Sequence, residues 1–241
     1  MKFGKWFELL LHHILPEWRD RFISYTFLKK RIKLIEAVRN DIIVADSNQD
    51  FLNRYEVDFI NLLSVELDKI NKFMEEKSRE CNVRLQTLKE RIEKVKSGYT
   101  QAMVMSSHER DEVVLLGKDL VNLHGELVLL ENYNVWNFTG LRKILKKYHR
   151  RIGAFKGEQS IPWAKCQPFS SNVFILKILN ECKRILQCFL YVSFMGSNED
   201  HDTLRRAMFQ NENEQSVYKS SVEALESLNE MTKFNFVYVG N

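Results

Sequence analysis

Residues 136–153 read WNFTGLRKILKKYHRRIG, and as a helix this stretch has one apolar side and one cationic side. At about 100° per residue, four cations fall within an arc of about 100°, and four apolar side chains share the opposite side. The cations are Lys143, Lys146, Lys147 and Arg150, and the apolar residues are Leu141, Ile144, Leu145 and Tyr148. No Asp or Glu lies between Asn132 and Phe155, although solvated lysine faces usually carry acids one helical turn away. The pattern predicts a site for a polyanion, with an ordinary solvated face as the alternative.

Two long registers of apolar residues, spaced by threes and fours, surround this stretch and indicate two long amphipathic helices. The first register is Phe59, Leu63, Leu67, Ile70, Met74, Lys77, Cys81, Leu85, Leu88, Ile92 and Val95. The second register is Val113, Leu116, Leu120, Leu123, Leu127, Leu130, Leu141, Ile144, Tyr148 and Ile152, and it skips Asn134 and Asn137. They predict helices over about 50–97 and 109–152, joined by a loop at 98–109 in which Gly98 caps the first helix.

The residues before these helices predict a helical hairpin over 1–40. Its first arm is an amphipathic helix at 1–15, ended by Pro16, and its second arm is a single helix at 17–38. Residues 41–50 are polar and predict the connection to the first long helix. Because two long helices with a short loop pack antiparallel, the cationic end of the second lies near the start of the first, close to the hairpin. Tyr25 and Lys29, one turn apart on the second arm, can therefore approach the cations at 143–150.

The whole composition favours an all-α, intracellular protein. Among 241 residues there are only three prolines and nine glycines, 44% of the residues are hydrophobic, and the net charge is +4. The four cysteines lack zinc-site spacing and are interpreted as reduced thiols. No apolar run is long enough to span a bilayer, and the N-terminus does not have the pattern of a secretory leader.

The C-terminal part divides into a helix predicted at about 172–191 and an acidic segment at 196–241. Residues 196–213 have the composition of a mobile linker, and residues 217–231 could form a short helix. We therefore predict one helical domain at 1–195, followed by an acidic, partly disordered tail. The predicted domain is an N-terminal hairpin packed on two long antiparallel helices, a core like a three-helix bundle, with additional C-terminal helices.

Several motifs resemble those of the SPX domain. They are MKFGK at 1–5, LPEWRD at 15–20 followed by Tyr25 and by LKK at 28–30, HGELVLLENY at 124–133, and NFTGLRKILKKY at 137–148. The resemblance covers roughly residues 1–190 in the family's order and spacing. Because only an acidic tail follows, the chain is similar to the stand-alone plant SPX proteins, rather than to SPX-containing transporters, ubiquitin ligases or polyphosphate polymerase subunits.

The resemblance implies a helical receptor for inositol polyphosphates and pyrophosphates, with no cofactor and no metal. In the family, a tyrosine and a lysine of the hairpin and one lysine of the long helix form a phosphate-binding cluster; these match Tyr25, Lys29 and Lys146. An adjoining lysine surface matches Lys143, Lys147 and Arg150, and Lys2 at the N-terminus also approaches the ligand. The chain departs from the family where Arg150 replaces a lysine and His149 replaces an acidic residue, and residues 154–169 match poorly.

Four functions remain open from the sequence. The resemblance implies a phosphate-status sensor of the nucleus or cytoplasm that, when liganded, binds and inhibits a MYB coiled-coil transcription factor of the phosphate-starvation response. The alternative is a regulatory subunit of a phosphate transporter or of a polyphosphate-metabolising enzyme. An enzyme is disfavoured because the six histidines lack nucleophile or metal spacing. Direct nucleic-acid binding is disfavoured because the basic stretch lacks interleaved stacking aromatics, apart from Tyr148 on the apolar side.

Overall fold

The helices of the computed structural model account for nearly all of the residues that it describes, which are 2–13, 16–45, 49–101, 107–152 and 166–194. Five α-helices follow one another along the chain: α1 Phe3–His13, α2 Tyr25–Ala45, α3 Gln49–Gln101, α4 Ser107–Ile152 and α5 Val173–Phe194. Short 3-10 helices cover Pro16–Arg21 and Pro168–Ser170. No strand occurs in these five ranges, and the all-α prediction is confirmed.

The chain divides into two compact units, and the first contains all the residues of the predicted site. It comprises Met1–Ser78 together with Leu130–Phe174. Within it, the first half of α3 runs antiparallel to the second half of α4: Phe59 stacks on Tyr148 with ring centroids 4.7 Å apart, and Phe73 meets Tyr133 at 4.9 Å. This pairing matches the antiparallel arrangement expected from the two long registers.

An aromatic cluster joins α1 and residues 18–22 to α3 and α4 in the same unit. The Phe22 ring lies 4.5 Å from the Tyr133 ring and 5.9 Å from the Phe7 ring, between centroids. Trp18, in the first 3-10 helix, meets Phe73 edge-on at 5.2 Å. Buried aromatic pairs of this kind contribute about 0.5–1.5 kcal/mol beyond their apolar area. Aromatic side chains from α1, from residues 18–22, and from α3 and α4 thus hold the hairpin.

The second unit, Arg79–Leu129 with Ile175–Asn241, is built from the other halves of α3 and α4 and from α5. Leu85, Leu120, Leu123 and Cys182 are among its fully buried core residues. Its polar surface links the helices: Arg91 bonds to both Glu112 and Asp119, and Arg84 pairs with Glu126. The described part of this unit ends at residue 194.

The second arm of the hairpin is not the single helix predicted over 17–38. A 3-10 helix covers Pro16–Arg21, the backbone leaves helical geometry at 22–24, and α2 begins at Tyr25. The reason is tertiary: the Ile23 N–H donates to Asn137 Oδ1 at 2.8 Å, and the Ser24 N–H donates to Glu66 Oε2 at 2.8 Å. Side chains of α3 and α4 satisfy these amides, so a continuous helix is not needed.

The connections between helices are shorter than predicted. α2 continues to Ala45 and α3 begins at Gln49, so most of the expected connection at 41–50 is helical. Gly98 does not cap α3, which continues to Gln101, and α4 begins at Ser107. A glycine inside a helix costs only about 1 kcal/mol, which the apolar register of a long helix can offset.

Other predicted segments lie outside the described residues. These are the tail at 196–241, with its linker and short helix, and the poorly matched stretch at 153–165. The division into a domain at 1–195 and a tail therefore stays a prediction. Among the described helices, none combines the length and apolar character needed to cross a bilayer. The described residues also contain no group of three His, Cys, Asp or Glu side chains arranged to hold a metal ion.

Candidate functional site

The two sides predicted for residues 136–153 are present in the second half of α4. Leu141, Ile144, Leu145 and Tyr148 are all buried, with at most 3% of their surface exposed. Lys143, Lys146 and Arg150 are exposed and Lys147 is half-buried. The register of the helix therefore directs the four cations of this stretch outward from the first unit.

Helix α2 lies beside this part of α4 and runs parallel to it. At its start, Ile23 bonds to Asn137, and further along Glu36 pairs with Arg151. At its end, the Arg39 guanidinium donates to the Ile152 carbonyl, one of the last acceptors of α4. The parallel arrangement places the cations of the two helices along one surface, which supports the predicted convergence of sequence-distant cations.

Glycine at position 140 allows the chain at 22–24 to approach α4 closely. A Cβ added to Gly140 would lie 2.9 Å from Ile23 Cγ2, closer than carbon atoms normally approach. Glycine is therefore required at position 140 for the chain at 22–24 to lie against α4. The Tyr133 hydroxyl strengthens the same contact by donating to the Arg21 carbonyl at 2.7 Å.

The N-terminus of α2 is held by a carboxylate from α3. Glu66 accepts hydrogen bonds from the Ser24 amide at 2.8 Å and from the Ser24 hydroxyl at 3.1 Å. Lys69 in turn donates to Glu66 at 2.7 Å. A carboxylate at the first amides of a helix also interacts favourably with the helix dipole. This contact orients the start of α2, with Tyr25 in its first turn and Lys29 one turn later.

Tyr25 lies under α1 and is mostly buried. Its ring meets Phe3 edge-on at 4.7 Å, and a Cβ added to Gly4 would lie 3.2 Å from its Cε1 atom. Burial raises the pKa of the Tyr25 hydroxyl, which consequently stays protonated at neutral pH. A protonated phenol can donate one directional hydrogen bond to a phosphate oxygen.

Lys143 joins α4 to the N-terminal helix. Its ammonium lies 5.0 Å from the centroid of the Phe3 ring, within the range of a cation–π interaction. Burial and the neighbouring Lys146 and Arg142 lower the pKa of Lys143. The Lys143 charge is thus held in a position where it is less well solvated than that of an isolated lysine.

Lys147 is the point where the cations of α2 and α4 meet. Its pKa is lowered by burial and by the surrounding positive charges of Arg151, Lys29, Arg150 and Lys33. Two of these charges come from α2 and two from α4. The cations of α2 and α4 therefore repel one another at Lys147.

The cations of this surface lack acidic partners among the described residues. No ion pair is formed there by Lys29, Lys33, Lys143, Lys146, Lys147 or Arg150. We call these six residues the cationic surface. Elsewhere in the described ranges, several lysines and arginines are paired, as Lys89 is with Glu181. A concentration of uncompensated charge costs stability unless an anion neutralises it.

Each sequence-predicted residue has a defined place relative to the cationic surface. Lys143, Lys146, Lys147 and Arg150 lie on α4, and Lys29 lies on α2 near Lys147. Tyr25 lies one turn before Lys29, in contact with Phe3. Lys2 is exposed and immediately precedes Phe3, whose ring contacts both Tyr25 and Lys143. The structure thus places all seven in the first unit, and their role in binding stays a prediction.

The sequence did not indicate several residues that shape this surface. No pattern in the sequence sets Lys33 apart, yet its charge acts on Lys147. Nor does the sequence indicate that the Phe3 ring faces both the Lys143 ammonium and the Tyr25 ring. The pairing of Arg151 with Glu36 has no sequence signal, because it depends on how α2 lies against α4.

Comparison with known proteins agrees with the motifs. The family model of the SPX domain matches residues 1–50 and 40–113. SPX domain-containing protein 1 of Arabidopsis thaliana is 34% identical over 236 residues, which are 96% of this chain and 86% of that protein. The chain belongs to the SPX domain family. SPX domain-containing protein 3 of Oryza sativa subsp. japonica is 31% identical over 99% of this chain and 85% of its own length.

A solved SPX structure has the same fold as this SPX chain. It is the SPX domain of Chaetomium thermophilum glycerophosphodiester phosphodiesterase 1 in complex with inositol hexakisphosphate. The TM-score is 0.60 at 24% identity, and the match covers 78% of this chain and 99% of the fungal one. The helical architecture expected from the resemblance is therefore confirmed for this SPX protein.

Proposed function

We propose that this protein is a phosphate-status sensor that binds inositol polyphosphates and pyrophosphates on its cationic surface. The observation that carries the proposal is the set of six cations from α2 and α4 without ion pairs in the described ranges. Such a surface is stabilised by a ligand that supplies several negative charges at once. A single inorganic phosphate supplies too few charges to neutralise it.

The types of residue suit a densely phosphorylated ring. Lysine ammonium groups on flexible stems can each follow a different phosphate, whereas a planar guanidinium is best suited to one bidentate partner. Hydrogen bonds between charged donors and phosphate oxygens are the stronger class. Tyr25, with its hydroxyl protonated, adds a directional donor beside Lys29. The fungal SPX domain with the same fold, solved with inositol hexakisphosphate, supports this ligand class.

We further propose that the liganded protein binds and inhibits a MYB coiled-coil transcription factor, acting in the nucleus, the cytoplasm or both. The support is membership of the family together with similarity to SPX domain-containing proteins of Arabidopsis and rice. The physical basis is that a polyanion relieves the repulsion at Lys147 and favours one arrangement of α1, α2 and α4. A ligand can drive a switch only if it binds one state more tightly than the other.

Isothermal titration of the full chain tests ligand binding. We expect inositol hexakisphosphate and a pyrophosphorylated analogue to bind, with affinity that falls as salt is added, because exposed charges are screened beyond about 8 Å at physiological ionic strength. Inorganic phosphate is the control and should bind far more weakly. Binding of all three ligands with equal affinity, or of none of them, would contradict the proposed function.

A further inference from the structure

Arg151 lies in the cationic stretch of α4, but unlike the residues of the cationic surface it has an acidic partner. It lies one residue after Arg150, and among the charges acting on Lys147 it is the first to lower that lysine's pKa. Its guanidinium, however, pairs with Glu36 of α2. In the described part of α2 and of the second half of α4, this is the one ion pair that a cation of the region makes.

The acid that holds Arg151 is itself placed by the parallel packing of α2 and α4. Glu36 lies two turns after Lys29 and one turn after Ile32, which is fully buried. One turn further on, Arg39 binds the Ile152 carbonyl and so holds the two helix ends together without Glu36. The Glu36 side chain is 34% exposed and that of Arg151 is 25% exposed, so solvent and ligands can reach the pair.

We propose that Glu36 is a specificity-determining residue that withholds Arg151 from the bound polyanion and ends the cationic surface at Arg150. A phosphate group near Lys147 and the Glu36 carboxylate are alternative partners for the same guanidinium. An arginine that could fork onto a phosphate would add a rigid, bidentate contact to a surface that, apart from Arg150, is made of mobile lysines. Glu36 thus limits both the affinity and the number of phosphates that the surface engages. The inference rests on the proposed function.

The test is isothermal titration of the full chain with inositol hexakisphosphate in a double-mutant cycle of Glu36→Gln and Arg151→Gln. Removing a negative charge strengthens polyanion binding through space, whether or not Arg151 is present. Release of Arg151 adds a contact that only the background containing Arg151 can show. We expect Glu36→Gln to strengthen binding about two- to fivefold more with Arg151 present than with Gln at position 151, the range of an exposed ion pair.

Two controls accompany the cycle. Glu112→Gln has the same change in net charge and also removes the partner of an interhelical arginine, Arg91, in the other unit, where Asp119 still holds the arginine; it should leave affinity unchanged. Thermal unfolding of each variant checks that α2 stays in place, since Arg39 and the aromatic cluster remain.

The outcomes separate this inference from the proposed function. If the wild type does not bind inositol hexakisphosphate, the proposed function is wrong. If the wild type binds and Glu36→Gln gives the same gain in both backgrounds, no gain, or a loss, Glu36 does not withhold Arg151 and the inference is overturned.

Discussion

Asn137 shows how one polar residue inside an apolar helix face determines the position of a neighbouring segment. It is fully buried in α4, where its side chain accepts a hydrogen bond from the Ile23 amide at 2.8 Å and donates to the Tyr133 carbonyl at 2.8 Å. Buried amides of this kind must be paired, because an unpaired one loses its hydration without compensation. Asn137 thus holds the chain just before α2, and with it Tyr25.

Replacement of Asn137 by leucine, which branches at the same carbon but cannot accept a hydrogen bond, should destabilise the protein. The Ile23 N–H would be buried without an acceptor, at a cost of about 1–3 kcal/mol. Urea unfolding followed by circular dichroism measures the change in the free energy of unfolding. Thr139→Val is the control, because its hydroxyl bonds only to the Val135 carbonyl within the same helix and is exposed. Equal stability of the Asn137→Leu variant and the wild type would show that the Ile23 bond does not matter.

If Lys143 binds the polyanion as proposed, its lowered pKa should make that binding depend on pH. In the folded protein, burial and two neighbouring cations favour the neutral amine, so this lysine loses its proton below its ordinary value of 10.5. At low pH this lysine is charged in both the folded and the unfolded protein, and its charge lowers the free energy of unfolding. That penalty disappears as the pH rises through the lowered pKa towards 10.5. A bound polyanion has the opposite preference, since it favours the ammonium form.

We therefore expect affinity for inositol hexakisphosphate to fall as the pH rises from neutrality towards 10.5. Lys143→Arg is the matched control because arginine stays charged throughout this range. Titrations of both proteins at each pH cancel the ionisation of the ligand itself. The wild type should lose affinity more steeply than Lys143→Arg, and parallel decreases would contradict a role for the Lys143 charge.

At the scale of elements, the contact between α4 and residues 22–24 depends on a missing side chain. A glycine-to-alanine change inside a helix normally stabilises a protein by up to about 1 kcal/mol. At Gly140 the added methyl group would lie 2.9 Å from Ile23 Cγ2, so the segment would have to move. We expect Gly140→Ala to destabilise the protein by about 1–3 kcal/mol, as other overpacked sites do.

A second substitution separates crowding from other effects at this glycine. In an Ile23→Ala background the clash is absent, so Gly140→Ala should be neutral or stabilising there. Differential scanning calorimetry of the four proteins gives the coupling between the two positions. Additive effects of the two substitutions would show that close packing is not the reason for glycine at position 140.

The elements that periodicity could predict are those held by long apolar registers. The two long helices and the buried side of residues 141–148 follow from spacing alone, because three or four residues per repeat place a continuous stripe on one side of a helix. The break at 22–24 could not be predicted, since its hydrogen bonds come from Asn137 and Glu66, which are remote in sequence. The second apolar register omits Asn134 and Asn137 for the same reason, although both are buried. A polar residue on the apolar side of a predicted helix is assigned to the surface until its hydrogen-bond partner is known.

The residues of the candidate site can likewise be divided into those that the sequence could predict and those that it could not. The cations of α4 could be found from one helix face, because they lie within a single short stretch. The effect of the Lys33 charge on Lys147 and the ion pair between Arg151 and Glu36 both depend on the parallel packing of α2 against α4. No local sequence pattern predicts this packing. The resemblance to the SPX family added Lys2 and the phosphate-binding role of Tyr25 and Lys29, and the structure places these residues in the same unit as the α4 cations.

At the scale of the whole molecule, the proposed switch couples ligand binding to a protein partner. Lys29 and Lys33 of α2 repel Lys147 of α4 when no anion is present, and a polyanion removes this repulsion. If the partner recognises the liganded arrangement, ligand and partner must strengthen each other's binding by the same factor.

Capture of a MYB coiled-coil fragment, with and without an inositol pyrophosphate, tests this coupling. We expect the wild type to capture the fragment more strongly with ligand present. The variant Tyr25→Phe/Lys29→Ala/Lys146→Ala should show little difference between the two conditions. Equal capture under all four conditions would leave a helical scaffold without a sensor function.

The central claim is that the unpaired cations of α4 bind the polyanion, and the most direct test compares two triple variants of equal charge. One is Lys143→Ala/Lys146→Ala/Lys147→Ala, and the other removes three exposed lysines of the second unit, Lys94→Ala/Lys177→Ala/Lys183→Ala. Isothermal titration with inositol hexakisphosphate should show at least about tenfold weaker binding for the first triple and a nearly unchanged affinity for the second. Both should unfold near the wild-type temperature. Equal weakening by the two triples, or wild-type affinity in the first, would contradict the claim.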